Sequence, residues 1–350
     1  MSKKFVFVIS LIIVASMMLA ACTQATPAPA TAEPAKALKV CQITDTGGID
    51  DKSFNATAWK GVQDAVAAGG VEGKYLESKE VADYEKNLNA FLEEKCDLII
   101  TVGFLIGDAT KAAAEANPEA KFSIVDYSYD PAISNVVGQI FETDEAAFLA
   151  GYLAAGVTKT GKVGTFGGLP IPTVTIFMKG FAEGVAYYNE KKGTAVEVLG
   201  WDLNDDTKGL FTNSFDDQQK GKELATSLMD EGADIVMPVA GPVGIGAAAA
   251  LSERENSYLI GVDSDWFLTT PDYAAITLTS VMKMMDSTTT QVIKSVADGT
   301  FAGGNVVGTL ANKGVGIAPF HDLDSLVSAE LKAELIQLEA DIISGAITLK

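Results

Sequence analysis

Arginine, histidine and cysteine are scarce in this chain of 350 residues. It has one arginine (Arg254), one histidine (His321) and three cysteines (Cys22, Cys41 and Cys96). Catalytic zinc ordinarily takes two or three imidazoles, so a lone histidine leaves no His-rich site, and no metal is expected. A Ser-His-Asp triad would have to run through His321, which sits in the polar turn Pro319-Phe320-His321-Asp322. A lone arginine also removes the bidentate clamp that suits carboxylate and phosphate ligands. The ligand expected is neutral, held through hydroxyls and amides. With 26 Lys+Arg against 46 Asp+Glu, the formal net charge is −20. That balance excludes nucleic acid and disfavours an anionic lipid surface, both of which call for a basic face. No catalytic residue and no cofactor is expected. What the chain does have is length enough for one large or two ordinary domains.

The N-terminus carries an address rather than a fold. Lys3 and Lys4 precede the apolar run Phe5 to Met18, which has the length of a secretory segment and is shorter than the ~20 residues of a membrane span. The run ends in Leu19-Ala20-Ala21-Cys22, which resembles the bacterial lipoprotein box: cleavage before a cysteine that is lipidated and becomes the new N-terminus. Residues 1–21 are therefore expected to be a signal peptide, and residues 22–37 a lipidated Cys22 with a disordered tether rich in alanine and broken by Pro27, Pro29 and Pro34. The expected location is the extracytoplasmic face of the cell membrane, periplasmic or extracellular, held by lipid at Cys22. That compartment permits a disulfide between Cys41 and Cys96. Two buried free thiols are the preferred expectation.

Beyond the tether, short β-branched apolar runs alternate with segments of helical period. Strands are predicted over 37–44, 74–78, 97–102, 121–126 and 136–141, and helices over 57–68, 82–94 and 108–116. In the second of these helices Tyr84, Leu88, Phe91 and Leu92 fall on one face. The pattern then restarts, with helices at 145–157, 173–190, 218–231 and 244–255 between strands at 162–166, 195–201, 234–239 and 258–262. Repeated βα units imply parallel sheets covered on both faces, and two sets imply two lobes. The expected division is lobe 1 over 38–142, lobe 2 over 143–263, a return to lobe 1 over 264–304 and a return to lobe 2 over 305–350. The tail contributes a strand at 275–280, a helix at 283–298, a strand at 306–309 and a helix at 328–343. Open α/β sheets bind ligands outside the carboxyl ends of their strands, which directs attention to Asp45, Asp126, Gly241 and Asp263.

The first strand runs into Thr44-Asp45-Thr46-Gly47-Gly48-Ile49-Asp50-Asp51-Lys52-Ser53-Phe54-Asn55, followed by Trp59. This segment resembles the signature of the basic membrane protein family of lipoproteins, the substrate-binding components of ATP-driven nucleoside importers. Phe141-Glu142, the run Glu145 to Ala154, Phe215-Asp216-Asp217, Ala240-Gly241-Pro242-Val243-Gly244, Gly261-Val262-Asp263-Ser264-Asp265 and Thr279-Ser280-Val281-Met282-Lys283 match in order, so the resemblance spans roughly residues 38–345. It implies the type I periplasmic-binding-protein fold, an α/β architecture of two doubly wound parallel-sheet lobes joined by three crossovers. It also implies a monomeric binding protein, not an enzyme. Its ligand would be a purine nucleoside (adenosine, guanosine or inosine), and its partner the membrane subunits of an ABC permease.

The resemblance assigns roles residue by residue. Asn55 and Asp126 would read the purine edge, an amide offering donor and acceptor and a carboxylate accepting from N–H. Each could instead cap a helix or turn. Phe54 and Phe215 would stack on the base, worth ~1–3 kcal/mol per base; Trp59 belongs to the core with Val62 and Val66. Asp263 would accept from both ribose hydroxyls, Lys283 would donate to a ribose oxygen, and Gly241 would let the backbone approach the ligand. Asp45 would orient Asn55 or the Gly47-Gly48 turn, with Asp50 and Asp51 competing for the same register. A sugar or another small polar metabolite is the alternative ligand, since aromatic faces and diol-binding carboxylates suit sugars too. A dinucleotide-binding enzyme is a second alternative, because Gly244-Ile245-Gly246-Ala247-Ala248-Ala249 fits G-x-G-x-x-A. Pro242, the late position in the chain and the export signal weigh against it. Asp202 to Asp206 has a calcium-loop flavour but carries Thr207 where glycine is required and Asn213 where glutamate is.

Overall fold

Twelve strands fall into two six-stranded sheets among the described residues of the computed structural model, which are 36–205 and 207–349. The expected signal peptide, the lipidated Cys22 and the tether up to residue 35 lie outside them. In chain order the elements begin with β1 (Leu38–Ile43), α1 (Phe54–Ala68), β2 (Val71–Leu76), α2 (Asp83–Glu93), β3 (Leu98–Val102), α3 (Gly107–Ala116), β4 (Phe122–Val125) and β5 (Val136–Phe141). The second set is α4 (Thr143–Val157), β6 (Lys162–Gly167), α5 (Pro172–Lys192), β7 (Glu197–Leu199), α6 (Gln218–Asp230), β8 (Ile235–Val239), α7 (Val243–Ser252), β9 (Tyr258–Asp263), a four-residue α8 (Trp266–Thr269) and β10 (Thr277–Lys283). Last come α9 (Met285–Ala297), β11 (Gly304–Gly308), β12 (Val315–Ile317) and α10 (Ala329–Ile343).

The two sheets repeat one design. The first is ordered β2-β1-β3-β4-β5-β11 and the second β7-β6-β8-β9-β10-β12. Every pairing is parallel except β10 with β12. Central strands such as Leu98-Ile99-Ile100-Thr101-Val102 are buried at every residue, as helices on both faces of a sheet require. The helix ends follow local chemistry. Pro172 opens α5 and Gly193, in the left-handed region at φ 65°, closes it. Ser328 caps α10 through the Leu331 amide.

Two expectations from sequence are corrected here. The chain does not return to the first lobe at residue 264: β10 stays in the second sheet, paired in parallel with β9 from Thr277 to Met282. The return begins with α9, whose Thr288 and Thr289 hydroxyls donate to Gln139 of β5 and whose Thr290 donates to the Gly61 carbonyl of α1. Strand β11 then joins the first sheet beside β5, so the chain re-enters the second lobe only between Gly308 and Val315. The three crossovers thus lie at Glu142, at Met284 and between Gly308 and Val315. Second, Cys41 and Cys96 are not free thiols but a disulfide. Pairing of β1 with β3 brings Cys41 and Cys96, two residues before β3, to a Cα separation of 6.1 Å.

Candidate functional site

In each sheet the strand order reverses between the first and third strands of the lobe, β1/β3 and β6/β8. Such switch points open a crevice at the carboxyl ends of the strands. One cavity, about 570 Å³ with its mouth included, is lined from both lobes at these ends. All eight residues singled out from sequence line it: Asp45, Phe54, Asn55, Asp126, Phe215, Gly241, Asp263 and Lys283.

The first-lobe wall is a hydrogen-bonded lattice. Asp51, buried ahead of α1, accepts from the backbone amides of Ser53 (3.0 Å), Asn55 (2.7 Å) and Ala56 (3.0 Å). Asp51 is therefore the cap of α1, the role that sequence left open for Asn55. The Asn55 amide nitrogen donates to Asp45 Oδ1 at 2.7 Å and Asp51 Oδ2 at 3.0 Å, and its carbonyl accepts from the Asp45 amide at 3.3 Å. Asp45 Oδ1 also accepts from the Gly47 amide at 2.9 Å, so Asp45 orients both Asn55 and the glycine turn. Both donors of Asn55 are engaged in this way, which leaves its oxygen as the atom with capacity for a further bond. Burial raises the Asp45 carboxyl above its ordinary range against the bonds from Asn55 and Gly47, and pushes Asp51 up to about 7.

The second-lobe wall is apolar over most of its extent. Ile171, Val174 and Phe177 come from the start of α5, Phe215 from the loop before α6, and Gly241-Pro242 from the turn into α7. The Phe215 ring lies over Gly168, where an added Cβ would fall 2.3 Å from the ring. Gly241 has φ 52°, and an added Cβ would meet nothing within 4 Å, so the structure uses this glycine for its backbone conformation.

Charged groups meet where the lobes join. Lys283 Nζ, buried at the end of β10, lies 2.5 Å from Asp126 Oδ2 of the first lobe and 3.7 Å from Asp263 Oδ1 of the second. Ser53, at the start of α1, donates at 3.0 Å both to Asp263 Oδ2 and to the Val262 carbonyl. Three rings surround the ammonium, with centroids at 5.0 Å (Phe54), 5.1 Å (Phe177) and 5.9 Å (Phe141). Cation–π attraction and two carboxylates offset the desolvation of the lysine. Asp126 and Asp263 end the fourth strands of their lobes and share a left-handed backbone, φ 65° and 69°. Non-glycine residues seldom adopt this conformation, which aims both carboxylates at one ammonium. Burial raises both carboxyls, and Lys283 pulls both back. Two buried carboxylates share one ammonium, and Asp45 and Asp51 add further acceptors to the lining, so the wall suits a ligand that brings hydroxyl, amino or ring N–H donors.

Sequence reasoning missed Phe104, Thr173 and Phe177, which also line the cavity, and left Asp51, another lining residue, only as a competitor for the register of Asp45. Phe104 follows β3 and was accessible to the strand-end rule; Phe177 lies inside α5, where helical spacing reads as core. Among the described residues no cluster of His, Cys, Asp or Glu is arranged to hold a metal ion.

Two like lobes, three crossovers and a cavity at the facing strand ends define the type I periplasmic-binding-protein fold. A crystal structure of an ABC transporter system solute-binding protein from Aeropyrum pernix K1 has this architecture, with a TM-score of 0.79 and 26% identity over 89% of this chain and 92% of that one. The ABC transporter nucleoside-binding protein BmpA of Lactococcus lactis subsp. cremoris is 32% identical over 99% of both chains. Basic membrane protein A of Borreliella burgdorferi is 33% identical over 88% of this chain and 86% of that one. The chain belongs to the family described as ABC transporter substrate-binding protein PnrA-like, whose pattern matches residues 38–350. Members of this family are solute-binding components of ABC transporters, not enzymes.

Proposed function

We propose that this chain is the lipid-anchored, extracytoplasmic receptor of an ABC importer, a monomer that holds a purine nucleoside between its lobes and delivers it to the permease. The observation that carries this reading is the composition of one cavity: aromatic faces from both lobes (Phe54, Phe104, Phe177, Phe215) beside the acceptors Asp45, Asp126 and Asp263, the last two buried. A base supplies a π-face and N–H donors; a ribose supplies a diol. Asn55 and Asp126 face the base edge in this reading, and Asp263 and Lys283 the ribose. The BmpA relative is nucleoside-binding by name, which supports the same ligand class. The anchor at Cys22 rests on the lipobox-like segment of the sequence.

A thermal-shift series on the intact protein tests the proposal, with adenosine, guanosine, inosine, the free bases, ribose and hexoses. A ligand at 100 times its Kd stabilises by about 2.7 kcal/mol, a visible rise in Tm. Stabilisation by a purine nucleoside and not by ribose is the expected result. Stabilisation by sugars alone would retain the receptor class and overturn the base-stacking roles of Phe54 and Phe215.

A further inference from the structure

Behind the Asp126–Lys283 ion pair lies a second space, about 810 Å³ including its open side. It shares Phe104, Asp126, Thr173 and Lys283 with the cavity already described, so the two adjoin through that wall. The remaining lining is mostly apolar, from Tyr127, Ile140, Phe141 and Ile176, with hydroxyls from Ser128 and Thr143. Thr143 is 1% exposed, and its hydroxyl has no hydrogen-bond partner among the described residues. A buried hydroxyl without a partner is costly, and native structures usually supply one. Phe104, which lines both spaces, and Tyr127, which lines the second, stand with centroids 5.1 Å apart, so aromatic faces continue from the first cavity into the second.

We infer that the second chamber is a subsite for a substituent on the purine base, so that the protein takes purine nucleosides carrying an uncharged, partly apolar group on the exocyclic amine. The inference rests on the nucleoside reading, in which Asp126 faces the base edge. A group attached at that edge continues past Asp126 into the chamber. Its rings and aliphatic side chains suit an apolar arm, and Thr143 and Ser128 suit a hydroxyl on that arm. An anionic arm is excluded, because Lys283 is already shared between Asp126 and Asp263.

Titration calorimetry on the intact protein with adenosine, N6-benzyladenosine and 5′-methylthioadenosine tests this, using the wild type and the chamber-filling variants Ile176→Trp and Ser128→Trp. Neither Ile176 nor Ser128 lines the first cavity. The wild type is expected to bind N6-benzyladenosine at least as tightly as adenosine. Either variant should weaken N6-benzyladenosine tenfold or more while adenosine and 5′-methylthioadenosine stay within about twofold. Ser128 is exposed, so its variant keeps the test open if Ile176→Trp does not fold. Three results overturn the inference: rejection of N6-benzyladenosine by a wild type that binds adenosine, equal losses for all three ligands, or a selective loss of 5′-methylthioadenosine, which would place the ribose end in the chamber. If no nucleoside binds the wild type, the nucleoside reading itself falls and takes the inference with it.

Discussion

The two lobes share strand order and differ in how their cleft walls are held. At the end of the first strand of each lobe, lobe 1 places Asp45 and lobe 2 places Gly168, which makes room for the Phe215 ring. Asp45, Asp51 and Asn55 are bonded to one another and to the backbone around them, all within lobe 1. The charged groups of lobe 2 look across the gap: Asp263 to Ser53, and Lys283 to Asp126. One wall is preorganised by its own lobe, while the polar groups of the other make their shortest side-chain contacts with the opposite lobe. Preorganisation reduces the ordering cost of binding; dependence on the opposite lobe makes the second wall sensitive to closure.

The contrast can be broken most severely at Asp263. Asp263→Ala is expected to lower nucleoside affinity at least 100-fold by calorimetry, about 2.7 kcal/mol or more. The fold should persist, because Ser53 keeps the Val262 carbonyl and Lys283 keeps Asp126. Near-normal affinity would sink the assignment. A smaller effect, on stability alone, is expected from Cys41→Ser with Cys96→Ser. The disulfide closes a 55-residue separation within lobe 1 and has no counterpart among the described residues of lobe 2. Its loss should cost roughly 2–4 kcal/mol in chemical denaturation while leaving ligand affinity largely intact. An unchanged denaturation midpoint would contradict this.

A change in slope alone, with no loss of binding, sharpens the comparison through pH. Asp51 has a folded-state pKa of about 7, raised from 3.8 chiefly by burial. The native state therefore binds more protons than the unfolded chain between about pH 4 and pH 7. The sign follows: stability falls as pH rises through that window, and the full penalty is present above it. Asp51→Asn should flatten this slope in a Tm series from pH 4.5 to 8 and still cap α1. A slope identical to wild type would show that Asp51 does not titrate in this range.

Much of this was legible before the structure. Buried apolar runs such as 98–102 announced the strands, and the strand-end rule pointed to Asp45, Asp126, Gly241 and Asp263, which now line one cavity. What escaped depended on long-range pairing. Strand β12 is three residues between Gly314 and Ala318-Pro319, too short for a pattern. That β10 remains in the second sheet is decided by its hydrogen bonds to β9 and not by its own composition. The cysteines lie 55 residues apart, and only the β1–β3 pairing brings them within reach. Three aspartates crowd the opening loop, and the direction of the Asp51 side chain, which makes it the cap, has no trace in residue spacing.

Lys283 is the last residue of β10, and the chain leaves for the first lobe through Met284, one peptide bond later. Among the described residues, the one ammonium that lines the cavity is thus mounted on the axle of the machine rather than on one of its jaws. Any turn of that axle displaces the ammonium relative to Asp126, so substitutions along the second crossover should retune affinity without touching the ligand.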